Sequence, residues 1–174
     1  THLDAESAVG AAHDRGDIVG IRVRLSNGFG RPMAYETADW RTLTSDLCRQ
    51  AVLEKRMEMR TDGLQERNFI TKTDIARAVQ HLIALPTTDV SNGLFNLGGS
   101  QSRTLLAMAN IIQERGQKKF GVEIPLHRPE PTTTQIQHLN FDIHKLLHTG
   151  FSLTEDVLSE IDEFLDMIEL HHQS

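Results

Sequence analysis

The chain has 174 residues, of which 39% are hydrophobic, and its formal net charge is -6. This length and composition suit one domain with a buried core and exclude a disordered chain. Lys and Arg are scattered rather than massed on one segment, which argues against a nucleic-acid binder. No apolar stretch approaches the roughly 20 residues that cross a bilayer, so no membrane partner is expected. The one cysteine, Cys48, favours the reducing cytoplasm and is expected to be buried and apolar.

The first third of the chain predicts a helix, a strand, a loop and a second helix. Apolar spacing predicts a helix over residues 3–15 that ends at Gly16, and alternation predicts a strand over 18–25. Residues 26–32 are expected to form a loop, and residues 42–55 a helix. Because the chain begins without Met, we also expect that it starts inside a longer protein.

The middle of the chain continues the alternation of strands and helices. A short strand is expected over residues 57–60, with residues 68–70 as its partner. Thr73 or Asp74 is expected to cap the next helix. A strand over residues 93–97 then precedes a helix that begins at Ser102 and stops at Gly116, and a further strand follows over 122–126. The order indicates an α/β fold.

The last part of the chain predicts two helices after an irregular segment. Residues 129–137, with two prolines and three threonines, have the composition of a linker. Asp142 is expected to cap a short helix that ends at Leu147. Ser152 and Glu155 have the spacing of a capping box before a final helix with an apolar stripe.

Candidate ligand-binding residues follow predicted strands, where open α/β sheets bind ligands. Asn27 lies among glycines that let a ligand approach the backbone, although Asn and Gly also form ordinary turns. Arg67 and Arg128 could each pair with a phosphate, or could be solvated surface residues. His144 and His148 have i,i+4 spacing, but no carboxylate or Cys is placed with them, so no metal site is expected.

Five segments in order resemble the extended short-chain dehydrogenase/reductase family, which includes NAD-dependent sugar-nucleotide epimerases and dehydratases. Residues 24–32 resemble its R-x-x-N-x-[YF]-G-x-x segment, and residues 62–76 resemble G-D-G-x-x-x-R-D-F-[IV]-x-V-x-D-[VL]-A. Residues 93–100 resemble G-x-[VY]-[FY]-N-[IL]-G, residues 127–129 resemble R-P-x-x, and residues 142–151 resemble D-x-S-K-x...L-G-[WF]. Each motif alone is weak, but their common order across the chain is specific.

The resemblance implies a fold and a division of the chain. It implies the C-terminal part of a Rossmann-type parallel sheet together with the small α/β substrate-binding subdomain. Residues 1–32 would be the last part of the Rossmann-like domain. Residues 33–174 would form mainly the substrate-binding subdomain, with residues 69–98 returning to the Rossmann-like sheet.

The resemblance also implies roles for individual residues. Asn27 would bind the phosphate or sugar region of a nucleotide sugar, and Arg67 and Arg128 would pair with its diphosphate. Arg60 would lie beside the nucleotide base, where the family often has an aromatic residue. Ser26 would border the nicotinamide of the cofactor.

The sequence departs from the family pattern near its start. The glycine-rich loop that binds NAD or NADP is absent, so the cofactor would be bound mainly by an N-terminal half outside this sequence. The catalytic Y-x-x-x-K would place its tyrosine just before Thr1 and His2 at the lysine position, although His2 could equally be a plain terminal residue. Asn68 stands where the family usually has Asp.

The full protein is therefore expected to be an NAD(P)-dependent enzyme that epimerises, dehydrates or reduces a nucleotide sugar. Two other functions stay open at this point. One is a non-catalytic nucleotide-binding homologue, and the other is a reductase of a non-nucleotide carbonyl substrate. The expected partners are the nucleotide sugar and, as one option, a second copy of the chain in a homodimer.

Overall fold

A computed structural model describes residues 1–131 and 138–173. The helices are α1 (His2–Asp14), α2 (Leu43–Leu53), α3 (Lys72–Ile83), α4 (Leu105–Phe120), α5 (His144–Leu147) and α6 (Val157–Gln173). The strands are β1 (Arg22–Leu25), β2 (Asn27–Phe29), β3 (Met57–Glu58), β4 (Glu66–Thr71), β5 (Leu94–Leu97), β6 (Ser102–Thr104) and β7 (Leu126–His127). The α/β class is confirmed.

The described strands form three small sheets. β1 pairs in parallel with β5, and β3 pairs in parallel with β7. β4 is the centre of the third sheet, with β2 parallel on one side and β6 antiparallel on the other. In each of the three parallel pairs, at least one helix lies between the two strands along the chain. Parallel strands require such a long crossover connection.

Four strand predictions need correction. The strand predicted over residues 122–126 is β7, which begins only at Leu126 and continues to His127. The predicted strand over residues 18–25 is shorter, because its ladder begins where Arg22 N–H donates to Gly93 O, whereas Gly20 N–H bonds to the His13 ring. The predicted loop over 26–32 contains β2, whose three residues are too few to show alternation. β3 pairs with β7 instead of residues 68–70, which lie in β4.

Two helix starts also differ from expectation. Thr71 caps α3, since its side chain accepts the N–H of Asp74, so neither Thr73 nor Asp74 is the cap. Ser102 begins β6 rather than a helix, and Thr104 caps α4 by accepting the N–H of Ala107.

Gly116 does not stop α4. The helix continues to Phe120 and ends at Gly121, which adopts the left-handed conformation with φ of 66°. Gly116 is buried, and an added Cβ would lie 2.8 Å from Ile124 Cδ1. Its role is therefore close packing rather than helix termination.

The expected capping residues of the last two helices have other partners. Glu155 lies before α6 with φ of 51°, and its carboxylate accepts the N–H of Ser100, so the capping box does not form. Asp156 accepts the N–H of Ser159 in the first turn of α6 instead. Asp142 accepts the N–H of His144 from just outside α5, whose N-cap position is Ile143.

Two buried apolar clusters hold the described elements together. The larger lies among α2, α4 and α6, where the predicted stripe of α6 is buried, and it includes Cys48 as expected. Burial raises the pKa of the Cys48 thiol well above its ordinary value. The smaller cluster lies between the β1–β5 sheet, α3 and α5, and it includes Phe95 and Leu146.

Most of the predicted linker, residues 132–137, lies outside the described residues. Within residues 1–131 and 138–173, no group of three or more metal-ligating side chains comes together. Over the same residues, no helix combines the length and apolarity that crossing a bilayer requires.

Candidate functional site

A cleft of about 310 Å³ lies on one face of the β2–β4–β6 sheet. It brings together two of the predicted substrate-binding residues, Asn27 and Arg67. The remaining lining residues come from β2, from the start of α2, from β4 and the residue before it, and from the start of α4: Gly28, Thr42, Leu43, Thr44, Gln65, Phe69 and Leu105. The cleft is therefore partly apolar, with a few converging polar groups, as is usual for ligand sites.

Arg67 extends from β4, and in the described part of the chain its guanidinium bonds only to neutral acceptors. Its Nη1 donates to the carbonyl of Glu66 at 2.9 Å, and its Nη2 donates to Gln65 Oε1 at 2.6 Å. Both acceptors are neutral groups. Among the described residues, no carboxylate lies within ion-pair distance of the Arg67 guanidinium.

The carboxylate next to Arg67 in sequence faces the other way. Glu66 Oε2 accepts the N–H of Leu139 at 2.9 Å, and Glu66 Oε1 lies 3.2 Å from His138 Nδ1. Alternation along β4 sends the Glu66 and Arg67 side chains to opposite faces of the sheet. The cleft therefore keeps a cation that no neighbouring acid neutralises.

Asn27 is anchored on one side and free on the other. Its Nδ2 donates to the carbonyl of Asn68 at 2.9 Å, which fixes the orientation of the amide. In the described part of the chain, the Asn27 Oδ1 atom and the second N–H have no partner. They can therefore accept from a hydroxyl or donate to an anion in the cleft.

Asn68, which stands where the family usually has Asp, closes a buried pair of hydrogen bonds. Its Oδ1 accepts the N–H of Gly99 and its Nδ2 donates to Gly99 O, both at 2.9 Å. A carboxylate could accept the first bond but could not donate the second. This departure from the family pattern thus fits the local backbone.

The N-terminus of α2 borders the cleft, which the sequence analysis did not foresee. Thr42 is the N-cap residue, but its hydroxyl bonds to Asp39 O and to Ser45 Oγ rather than to the helix amides. A helix N-terminus without a side-chain cap presents free N–H groups and a partial positive charge. The available signal was the cap position of the predicted helix over residues 42–55.

The other two predicted substrate-binding arginines lie elsewhere. Arg128 is exposed, donates to Asp62 O at 2.8 Å, and is not among the lining residues of the cleft. Arg60 is exposed and borders a separate groove beside Glu58. The structure therefore brings Asn27 and Arg67 together but does not bring Arg60 or Arg128 to them.

Ser26 and His2 occupy different environments. The Ser26 hydroxyl oxygen is enclosed at the end of β1 and has no hydrogen-bond partner in the described part of the chain. His2 is an exposed residue in the first turn of α1, which Thr1 caps. α1 is held to β1 by Arg24, whose guanidinium makes two hydrogen bonds to the carboxylate of Glu6.

A wider groove of about 830 Å³ lies beside the N-terminus of α3. Glu160 of α6 reaches into it and accepts the hydroxyl of Thr73 at 2.8 Å. Burial raises the pKa of Glu160, although hydrogen bonds from Thr73 and Lys72 oppose this effect. Gly30 passes so close that an added Cβ would lie 2.1 Å from Glu160 Oε1. The Glu160 carboxylate thus joins α6, α3 and the segment after β2.

One family model matches the chain. The model described as the NAD dependent epimerase/dehydratase family matches residues 1–98, which is more than half of the chain. No curated protein matches the chain.

Several solved structures share the fold at low sequence identity. A UDP-N-acetylglucosamine 4-epimerase from Methanobrevibacter ruminantium M1, in complex with UDP-N-acetylmuramic acid, is 21% identical and has a TM-score of 0.72 over 99% of this chain and 52% of its own. RMD from Pseudomonas aeruginosa, complexed with NADPH, is 16% identical and has a TM-score of 0.75 over 97% and 54%.

A UDP-glucuronic acid 4-epimerase from Bacillus cereus, in complex with UDP-glucuronic acid and NAD, is 18% identical, with a TM-score of 0.72 over 97% of this chain and 51% of its own. The chain thus spans about half the length of the solved structures it matches.

Proposed function

Because this chain belongs to the NAD-dependent epimerase/dehydratase family, we propose that it is the substrate-side portion of an enzyme that acts on a nucleotide-diphosphate sugar. The full protein would use NAD or NADP to epimerise or dehydrate the sugar. The observation that carries the proposal is the cleft in which Asn27 and Arg67 meet the N-terminus of α2. All three features favour an anion with polar neighbours.

Arg67 would hold the diphosphate. A guanidinium matches the geometry of a phosphate and forms charge-assisted hydrogen bonds with it. Its hydrogen bonds to Glu66 O and Gln65 Oε1 leave its remaining N–H groups available to the cleft. Because both acceptors are neutral, binding an anion there would not require an existing ion pair to break.

The N-terminus of α2 would complete the anion site. The free N–H groups of the first helical turn and the helix dipole both stabilise negative charge. Leu43 and Thr44, the first residues of α2, line the same cleft as Arg67. Asn27, which approaches from β2, would bind the sugar or the phosphate nearest to it.

Among residues 1–131 and 138–173, the Ser26 hydroxyl fits the cofactor. The enclosed and unpartnered Ser26 hydroxyl lies at the end of β1, where it could bond to a polar atom of the nicotinamide ring. β1 runs into β2 rather than into a helix, so these residues do not form a dinucleotide-binding turn. The cofactor would be bound mainly by residues outside this sequence.

The chemistry divides between the cofactor and the protein. NAD or NADP, when bound, would supply reversible hydride transfer at a sugar carbon. Asn27 and Arg67 would fix the substrate so that this carbon faces the cofactor. His2 would stand near the nicotinamide ribose if it takes the place of the family lysine. The catalytic tyrosine would precede Thr1, and the roles of Arg60 and Arg128 stay predictions.

Substitution of Arg67 tests the proposal. In the full-length protein, Arg67→Ala should weaken the binding of UDP or TDP by about 1.5–3 kcal/mol, the scale of a charge-assisted hydrogen bond. Isothermal titration calorimetry measures this, and NAD affinity should barely change. Arg56→Ala, which removes an exposed arginine immediately before β3, is the matched control.

The possible results separate the candidate functions. Loss of UDP or TDP affinity in Arg67→Ala, with Arg56→Ala unchanged, supports a nucleotide-diphosphate substrate. Unchanged affinity in a folded Arg67→Ala protein contradicts the proposed role of Arg67. A wild-type protein that binds NAD but none of UDP, TDP, GDP, CDP and ADP would favour a non-nucleotide carbonyl substrate.

A further inference from the structure

Gln65 immediately precedes β4 and lines the cleft together with Arg67. Gln65 is a bend residue rather than part of the strand, so it is the contact between the two side chains that places it next to Arg67. Gln65 Oε1 accepts a hydrogen bond from Arg67 Nη2 at 2.6 Å, and both residues line the cleft.

We propose that Gln65 is a positioning residue that holds the Arg67 guanidinium in place for the substrate diphosphate. This inference rests on the proposed function of the cleft. An arginine side chain has many rotamers, and freezing them opposes ligand binding. Gln65 fixes one end of the guanidinium and the Glu66 carbonyl fixes the other, so the rotamer is selected before the ligand arrives.

The neutral amide suits this role better than a carboxylate would. An amide oxygen accepts the Arg67 N–H without cancelling its charge. A carboxylate at the same place would form an ion pair with Arg67 and compete with the anion. The nearby acid, Glu66, is held on the other face by the Leu139 N–H and by His138.

The Gln65 amide adds a donor of its own. Because its oxygen bonds to Arg67, the amide orientation is fixed and the NH₂ group is directed away from the guanidinium. In the described part of the chain, this NH₂ group has no hydrogen-bond partner. Gln65 and Arg67 therefore form a pair of linked donors beside the N-terminus of α2.

A double-mutant cycle on the full-length protein tests whether Gln65 acts through Arg67. The variants are Gln65→Ala, Arg67→Ala and the double substitution, and the probe is UDP in calorimetric titration. Gln65→Ala should weaken UDP binding about 3–10-fold, and it should have a much smaller effect when Arg67 is already Ala. Uridine, which lacks the diphosphate, should bind equally to wild type and Gln65→Ala.

Further substitutions separate positioning from folding. Gln65→Met keeps the side-chain volume but removes the acceptor, and it should weaken UDP binding as Gln65→Ala does. Gln65→Glu keeps the acceptor but adds a charge, and it should weaken UDP binding by about 10-fold or more. Gln80→Ala on the exposed surface of α3 is the matched control and should bind UDP as wild type does.

The outcomes are distinguishable. Wild-type UDP affinity in folded Gln65→Ala and Gln65→Met overturns the positioning role but leaves the proposed function standing. A Gln65→Ala effect that is just as large in the Arg67→Ala background also overturns it, because Gln65 would then act independently. Absence of binding of UDP, TDP, GDP, CDP and ADP by the wild-type protein overturns the proposed function and this inference together; if one of the others binds instead of UDP, that diphosphate replaces UDP as the probe of the cycle.

Discussion

The carboxylate of Asp74 is a sharp test of how this fold is held together. It is 1% exposed, and it accepts hydrogen bonds from Thr154 N–H, Thr154 Oγ1–H, Glu155 N–H and Arg77 Nη1. These bonds connect the first turn of α3 to the segment that leads into α6. Burial opposes ionisation of Asp74, but the donors outweigh it and lower the pKa.

Asp74→Asn preserves the shape but replaces one acceptor oxygen with an NH₂ group. That group would face the N–H of Glu155 or of Thr154, so at least one buried donor would lose its acceptor, at a cost of about 1–3 kcal/mol. The remaining hydrogen bonds would also lose their charge assistance. We expect a total loss of about 2–4 kcal/mol in the free energy of unfolding at pH 7.

The pH dependence follows from the lowered pKa. A carboxyl group with a depressed folded pKa stabilises the protein above its unfolded pKa of about 3.9 and loses that contribution as pH falls through the folded pKa. The difference between wild type and Asp74→Asn should therefore be largest near neutral pH and shrink in acid. Urea unfolding followed by circular dichroism at several pH values measures it.

A surface carboxylate supplies the matched control. Asp166 is 64% exposed and pairs with Lys119 on the outside of α6, so Asp166→Asn should change stability by no more than about 0.5 kcal/mol. A difference below about 0.5 kcal/mol for Asp74→Asn at pH 7 would refute the reasoning. So would a large difference that does not shrink in acid, since it could not come from the charge.

Two further substitutions probe the close contacts of Gly30 with Glu160 and of Asn68 with Gly99. Gly30→Ala should destabilise the fold by about 2 kcal/mol or more, because φ is 122° and the new Cβ would meet the Glu160 carboxylate. Thermal unfolding measures the loss, and an unchanged melting temperature would contradict this close approach. Asn68→Asp should destabilise by about 2–4 kcal/mol at pH 7, because a buried carboxylate would face the Gly99 carbonyl, and protonation should relieve part of the loss in acid. A stability difference that is independent of pH would argue against that explanation of Asn68.

The apolar pattern predicted the helices better than their ends. The stripe of α6 is buried as the 3.6-residue period indicates, because burial of that face is what holds the helix in place. Capping depends on which donor a side chain meets, and that is decided by tertiary contacts. Asp74 is of a residue type that often caps helices, but its carboxylate accepts the backbone N–H groups of residues 154–155, which are distant in sequence.

The roles of the glycines in and after α4 also depend on tertiary contacts. Gly116 and Gly121 are both in or next to α4, and sequence alone does not tell a helix stop from a close contact. Gly116 is required by the approach of α2 and of Ile124, which only the packed structure reveals. Gly121 provides the left-handed residue that ends the helix.

The parts of the candidate site that belong to sequence motifs were predictable, and the part formed by main-chain groups was not. Asn27 and Arg67 follow from their motifs, and the structure brings both to one cleft. The N-terminus of α2 was missed because its contribution comes from main-chain N–H groups, which every sequence has. Gln65 was missed because its importance depends on one side-chain contact, and the motif leaves its position unspecified.

Residues Glu66 to Asn68 of β4, together with Gln65 just before the strand, separate groups that face the cleft from groups that hold the fold. Gln65 and Arg67 face the cleft, whereas Glu66 and Asn68 face protein groups that satisfy them. A shift of one residue in the pairing of β4 would reverse the two faces. The Arg67 charge would then be buried without an acid, and the Gly99 N–H and C=O would lose the amide that pairs them. The register of β4 is therefore fixed by polar groups as well as by Phe69 and Ile70, and the same constraint keeps the cation in the cleft.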